Sequence, residues 1–180
     1  MIKVLIVDDH PIVRNGLSAE IAKTSDITVV AEASDGDDAI AKVRKCIPDL
    51  VLLDIALPGK NGFEVLKQLQ AEAPEIKVLM LSAFSEKQYA VRCLKNGAKG
   101  YLTKKSAPEE LISAIRKVMR GGKYVSASLA ELLVSEIETD PSRQPHDLLS
   151  DREFQVLCLI GKGNTVSQIA DILSLSVSTA

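Results

Sequence analysis

Between residues 2 and 120 the hydrophobic period switches back and forth, and this alternation restricts the fold more than any other feature of the chain. Ile2–Val7, Ile27–Ala33, Leu50–Leu53, Ile76–Leu81 and Gly100–Leu102 are short, mostly Val/Ile/Leu-rich segments whose apolar residues run together, as in strands covered on both faces. The stretches between them have helical spacing. Leu111, Ile112, Ile115, Val118 and Met119 share a face, and Phe63, Leu66 and Leu69 recur every three residues. Start signals agree: Pro11 suits a first helical turn, Ser85-Glu86-Lys87-Gln88 fits a capping box, and Ser106 with Pro108 combines an N-cap with an early proline. Five strands alternating with five helices imply right-handed βαβ crossovers and a mostly parallel sheet with helices on both faces. Ligands of such sheets bind beyond the carboxyl ends of the strands, near the reversal of strand order.

The remaining 60 residues differ. Ser126–Thr139 reads as a short amphipathic helix, and the stretch from Asp140 to His146 holds Pro141 and Pro145 and reads as a linker. Ser150-Asp151-Arg152-Glu153 is a capping box ahead of Phe154, Val156, Leu157 and Ile160, with Gly161 and Gly163 as stops. Thr165 to Gln168 opens a second helix carrying Ile169, Ile172 and Leu173, and Ser176 begins a third, about one turn of which lies before Ala180. Two unequal parts follow, with an α/β unit at 1–120, a linker with a short helix at 121–147 and a small helical unit at 148–180.

Several classes are disfavoured. Apolar runs such as Val4–Val7 and Val78–Leu81 are far below the ~20 residues of a membrane span. Asp8 and Asp9 directly behind the first run speak against a secretory signal, so a cytoplasmic protein is expected. Cys46, Cys93 and Cys158 are odd in number and far apart in helical patterns, which suggests buried reduced thiols rather than disulfides or a metal knuckle.

Carboxylates collect at the strand ends: Asp8 and Asp9 after the first, Asp54 after the third. A lone Asp there is usually a loop residue or helix cap. Three that converge raise one another's pKa unless a cation intervenes, and oxygen-only ligands favour a hard ion, Mg²⁺. Ser82 follows the fourth strand and Lys104 the fifth. A hydroxyl and an ammonium beside acid-bound Mg²⁺ suit a transferred phosphoryl group, with Asp54 as nucleophile. His10 reads as a neighbour that begins the first helix, and His146 as solvated in the linker.

These residues are similar to those of a known family. Leu5-Ile6-Val7-Asp8-Asp9, Leu52-Leu53-Asp54-Ile55-Ala56-Leu57-Pro58-Gly59, Leu81-Ser82-Ala83 and Gly97 through Lys104 resemble the receiver domain of a two-component response regulator, a flavodoxin-like, five-stranded parallel fold. The resemblance implies that Asp54 accepts phosphate from a sensor histidine kinase. It implies that Asp9, Asp54 and the Ala56 backbone carbonyl bind Mg²⁺, with Asp8 acting through water. Ser82 and Lys104 would bind the phosphoryl group, and Tyr101 would swing inward as Ser82 moves. Many receivers have Lys-Pro where this chain has Lys104-Lys105, so a cis peptide is not expected there, and Lys105 competes with Lys104 for the phosphate role.

Residues 148–180 resemble the start of a LuxR-type helix-turn-helix of the NarL/FixJ branch: Leu149 to Glu153, Val156-Leu157, Gly161 to Asn164, Gln168 to Ala170, Leu173 and Ser176 to Thr179. The resemblance makes Ser176, Val177, Ser178 and Thr179 the start of a recognition helix that enters the major groove. Over residues 126–180, however, Arg143, Arg152 and Lys162 face eight acidic residues. Phosphate contacts need Lys and Arg, so weak or absent DNA binding is expected of this 180-residue chain, which reads as truncated. A phosphorylation-controlled, non-enzymatic transcription regulator that dimerises when activated is the leading reading. One alternative is a receiver acting through protein contacts alone. Another, a haloacid-dehalogenase-like phosphatase, would need a second Asp where Ala56 stands.

Overall fold

The computed structural model describes residues 1–106, 108–138, 149–173 and 175–176. Its sheet is parallel, of order β2-β1-β3-β4-β5, built from β1 (Ile2–Val7), β2 (Ile27–Ala33), β3 (Leu50–Leu53), β4 (Lys77–Ser82) and β5 (Gly100–Thr103). Helices α1 (Pro11–Ala22), α2 (Gly36–Cys46), α3 (Gly62–Glu72), α4 (Glu86–Lys95) and α5 (Pro108–Met119) connect or follow the strands. The order reverses between β1 and β3, as the alternating pattern implies. Two strands end one residue later than expected. The Ile76 amide donates to Ala73 O in a turn, so β4 starts at Lys77, while Ser82 pairs with Thr103 and lengthens both β4 and β5.

The core lies on both sides of the sheet. Val4, Ile6, Leu50, Leu52, Leu79 and Leu81 face α1 and α5, whereas Leu5, Val7, Val51, Leu53, Val78 and Met80 face α2, α3 and α4. Near-continuous apolar strands are what a two-sided sheet requires.

Helix starts follow local chemistry. Asn61 caps α3 through a full capping box with Glu64, and Asp35 caps α2 by accepting from the Asp38 amide. Pro11 opens α1 and Pro108 opens α5. Ser85 takes the N-cap position of α4 by backbone conformation, without the side-chain bond the sequence suggests. No peptide bond among the described residues is cis.

Beyond α5 the chain returns to the sheet edge. Tyr124 N donates to Lys99 O, and Gly100 bridges to Tyr124. This contact requires a glycine, because a Cβ at position 100 would stand 2.7 Å from Tyr124 O. Helix α6 (Ala127–Glu138) then buries Leu129 against the core that α4 contributes to. Helices α7 (Asp151–Gly161) and α8 (Val166–Ile172) both open on capping boxes, at Ser150 as read from the sequence and at Thr165 where a helix start was expected. Phe154, Leu159, Ile169 and Leu173 join the same apolar cluster as Phe63, Phe84 and Tyr89. Residues 139–148 and 177–180 lie outside the described residues.

Candidate functional site

Sheet register builds the site. Because β1 and β3 are neighbours with Val7 opposite Leu53, the residues that follow them, Asp8 and Asp54, emerge side by side. The Asp54 amide donates to Val7 O at 2.9 Å and the Asp8 amide to Ala33 O at 3.1 Å, which fixes both at the strand ends. Arg14 NH1 holds the Asp8 carbonyl at 2.6 Å. Ser82 closes β4, and the Lys104 amide donates to Ser82 O at 2.8 Å. All the strand-end residues singled out from the sequence therefore meet at one edge.

The acids share one cation. Lys104 Nζ lies 2.6 Å from Asp54 Oδ2 and 2.6 Å from Asp8 Oδ2. Lys105 is exposed, whereas Lys104 is turned inward to the two acids. Asp8 and Asp54 are buried, and burial pushes the Asp54 carboxyl up to about 6; Lys104 pulls it down and the Asp8 charge pushes it up again. Burial also works against the Lys104 charge, but Asp54 and Asp8 outweigh it and hold the ammonium above its ordinary pKa. The carboxylate at 54 is further bound by its neighbour's amide, Ile55 N to Asp54 Oδ1 at 2.7 Å.

Asp8, Asp9, His10 and Asp54 each present a ligand atom within 4.8 Å of the others. Asp8 Oδ2 and Asp9 Oδ1 accept no well-formed hydrogen bond; their near neighbours, Lys104 and His10 Nδ1, approach as ion-pair partners only. Three carboxylates, two of them with an oxygen that accepts no hydrogen bond, fit a hard divalent cation. His10 is the α1 N-cap, mostly exposed, with Nδ1 2.6 Å from Asp9 Oδ1.

Ser82 is fully buried, and its Oγ accepts from the Phe84 amide at 3.3 Å. Tyr101 is already inside, 1% exposed, and its OH donates to Phe84 O at 2.9 Å. The inward swing inferred from the resemblance is thus not what this structure displays. Segment 124–127, with Glu86, Tyr101 and Glu110, lines a cavity of about 420 Å³ beside the ring.

One backbone feature escaped the sequence reading. A Cβ on Gly62 would stand 2.1 Å from Asp54 O, so the first residue of α3 must be glycine for the helix to pack against the acceptor carboxylate's own peptide. The Asn61-Gly62 pair after the Pro58-Gly59 loop was the available signal.

A second contact region was also not foreseen. Asp151, in the first turn of α7, is buried and ion-paired at 2.5 Å with both Lys67 of α3 and Arg92 of α4. Arg92 NH2 donates to Leu149 O at 2.5 Å, and its guanidinium lies 4.8 Å from the centre of the Phe154 ring. The C-terminal helices therefore dock on the α3–α4 face. Cys93 is buried and free, whereas Cys46 and Cys158 are free but only partly buried, contrary to the expectation for all three. Ser176 is exposed; Val177, Ser178 and Thr179 lie outside the described residues.

Comparison with known proteins agrees with this architecture. Residues 4–116 match the family "Response regulator receiver domain", and residues 147–180 match "Bacterial regulatory proteins, luxR family". The chain is 38% identical over 180 residues to the response regulator UvrY of Escherichia coli (strain K12), covering 99% of this chain and 83% of UvrY. A LuxR-family two-component response regulator from Aurantimonas superposes with a TM-score of 0.70 at 33% identity, over 76% of this chain and 98% of that one. RcsB from Salmonella enterica serovar Typhimurium, bound to promoter rprA with the phosphomimetic BeF3-, gives 0.69 at 25% identity, over 99% of this chain and 86% of RcsB. RcsB also forms two dimers on two parallel DNAs in a structure with a TM-score of 0.69 at 26% identity, over 99% of this chain and 85% of that one. The expectation of weak or absent DNA binding gains no support from these likenesses, and the contact-only reading is disfavoured. No helix among the described residues is long and apolar enough to cross a membrane.

Proposed function

Since the chain belongs to the two-component response regulators of the NarL/FixJ branch, which join a receiver to a LuxR-type helix-turn-helix and regulate transcription, we propose that Asp54 is its phosphoacceptor. The observation that carries this is the Lys104 ammonium lying 2.6 Å from both Asp54 and Asp8 at adjacent strand ends. A carboxylate oxygen of Asp54 forms the new P–O bond as the P–N bond of a kinase phosphohistidine breaks, and the departing imidazole takes a proton from solvent. Asp54, Asp9 and the Ala56 carbonyl would hold Mg²⁺ directly, and Asp8 through water; the ion when bound neutralises charge on the phosphoryl oxygens. Lys104 exchanges its Asp54 contact for the phosphoryl group, and Ser82 donates its hydroxyl proton to it.

The product carries more negative charge than the carboxylate it replaces, so groups that favour it are drawn towards position 54. Tyr101 is the buried residue that follows Ser82 in this switch. Docking of α7 on α3 and α4 is the off arrangement; phosphorylation releases the 148–180 unit, which binds promoter DNA as part of a homodimer, as RcsB does. The receiver comprises residues 1–120 and the linker 121–147. Ser176, Val177, Ser178 and Thr179 begin the helix that reads DNA. The protein works in the cytoplasm and turns over no external substrate, since Ala56 stands where a dehalogenase-like phosphatase has its acid.

Incubation with acetyl phosphate and Mg²⁺, followed by intact mass, tests this reading. The parent gains one phosphoryl group, and Asp54→Ala and a Mg²⁺-free control gain none. An equal gain in Asp54→Ala overturns it.

A further inference from the structure

Between the phosphoryl site and the docked α7, one residue is held from both sides. The Phe84 amide donates to Ser82 Oγ, and the Phe84 carbonyl accepts from Tyr101 OH. Each of the two residues assigned to the switch therefore grips the same peptide segment. The Phe84 ring continues the connection: it stacks on Tyr89 with centroids 4.7 Å apart and an interplanar angle of 23°, and Tyr89 meets Phe154 of α7 edge-on at 5.6 Å and 76°. Lys162, the C-cap of α7, lies 5.8 Å from the Phe84 ring centre.

Ser82, Phe84, Tyr89 and Phe154 are all at most 9% exposed. A packed, dry series of rings transmits displacement because its members cannot compress; they must repack together. The first link is the weakest, since a 3.3 Å bond is at the long limit of hydrogen-bond geometry. Recruitment of the Ser82 hydroxyl to a phosphoryl oxygen would break it first. The opposite end is also held by Asp151 between Lys67 and Arg92, whose guanidinium lies over the Phe154 ring.

We propose that Phe84 is a positioning residue that couples the phosphoryl site to the docking of α7, acting through the Phe84–Tyr89–Phe154 ring series; the inference rests on the assignment of Asp54 as phosphoacceptor. Phe84 touches no reacting atom. Its role is to make the arrangement of Ser82 and Tyr101 felt by α7.

Iodoacetamide alkylation of the full chain, mapped by mass spectrometry, provides the readout. Cys158 sits on α7 against the docked core, Cys46 on α2 serves as internal reference, and Cys93 is fully buried. In the parent, acetyl phosphate with Mg²⁺ raises the Cys158 rate relative to Cys46 by about tenfold, within the usual range of coupling between sites. Phe84→Leu keeps the backbone bonds and most of the bulk. It takes up the same phosphoryl mass, but its Cys158 rate stays low in both states and the ratio falls to about one. Tyr89→Phe keeps the ring; it removes the hydroxyl beside Cys158 and so shifts the absolute Cys158 rate in both states, but it retains the parent ratio between them.

A parent-like ratio in Phe84→Leu overturns the coupling role while the Asp54 assignment stands. A high Cys158 rate in both states of Phe84→Leu overturns it as well, because Phe84 would then merely hold α7 in place. Loss of the ratio in Tyr89→Phe shows that the hydroxyl rather than the ring series carries the signal, and overturns the proposal in that form. Mass gain in the parent without any change at Cys158 overturns both the coupling and the release of α7. Failure of the parent to gain mass removes the Asp54 assignment and the proposal with it.

Discussion

Lys104 Nζ and Asp54 Oδ2 stand 2.6 Å apart across fifty residues of sequence, and the same ammonium reaches Asp8 Oδ2 at 2.6 Å. This one cation balances two buried carboxylates, so its removal leaves them facing each other. Lys104→Ala should unfold at lower urea concentration in EDTA, with a loss of about 1–3 kcal/mol. Mg²⁺ should return part of that loss, since a divalent ion does the same electrostatic work. Equal stability of parent and variant in EDTA would show that the lysine is not needed to balance the acids.

Asp54 itself is costly to the fold. Its carboxyl is raised to about 6, burial being the largest cause, whereas an Asp in the unfolded chain ionises near 3.9. Between those values the unfolded state releases the proton while the folded state keeps it. The stability of the parent relative to Asp54→Asn therefore falls as pH rises from about 4 to about 6 and is flat above that range, by roughly 2–3 kcal/mol in all. Paired denaturation curves in EDTA across this range check the prediction, and a difference that grows in the parent's favour with pH contradicts it.

Gly62 is predicted to be irreplaceable. A methyl group at this position would overlap Asp54 O at 2.1 Å, and that neighbour is backbone. Gly62→Ala should lose about 2 kcal/mol or more of stability and take up phosphoryl groups more slowly, because the acceptor's peptide must shift. Gly16→Ala, in α1 with open space around it, is the control and should be neutral or slightly stabilising.

The clasp at Asp151 gives a further prediction. Asp151→Asn keeps the shape but removes the charge that Lys67 and Arg92 hold at 2.5 Å. Docking should weaken by about 1–2 kcal/mol, discounted because Lys67 is half exposed. The Cys158 alkylation rate without acetyl phosphate should then rise roughly 5- to 30-fold relative to Cys46. An unchanged rate would place the docking energy in the aromatic contacts alone.

How far the sequence led differed from residue to residue. The strands were legible because each is a short, mostly apolar run, and Asp8, Asp54, Ser82 and Lys104 could be placed together because each stands at or just after the end of a strand. The boundaries of β4 and β5 were off by one because pairing of Ser82 with Thr103 depends on the neighbouring strand, not on composition. Gly62 was missed since its reason is a close approach in space. Asp151 was legible only as part of the capping box that opens α7, and nothing local says that it meets Arg92, 59 positions away. Phe84 and Tyr89 look like plain core residues until the bonds to Ser82 and Tyr101 are seen.

The central claim is that the phosphoryl group resides on the Asp54 carboxylate. Borohydride reduces an acyl phosphate to an alcohol, so treatment of the acetyl phosphate-labelled protein followed by peptide mapping converts the acceptor aspartate to homoserine. The account predicts homoserine at position 54 and nowhere else, dependent on Mg²⁺. Homoserine at Asp8 or Asp9, or a labelled protein in which Asp54 survives intact, would contradict it.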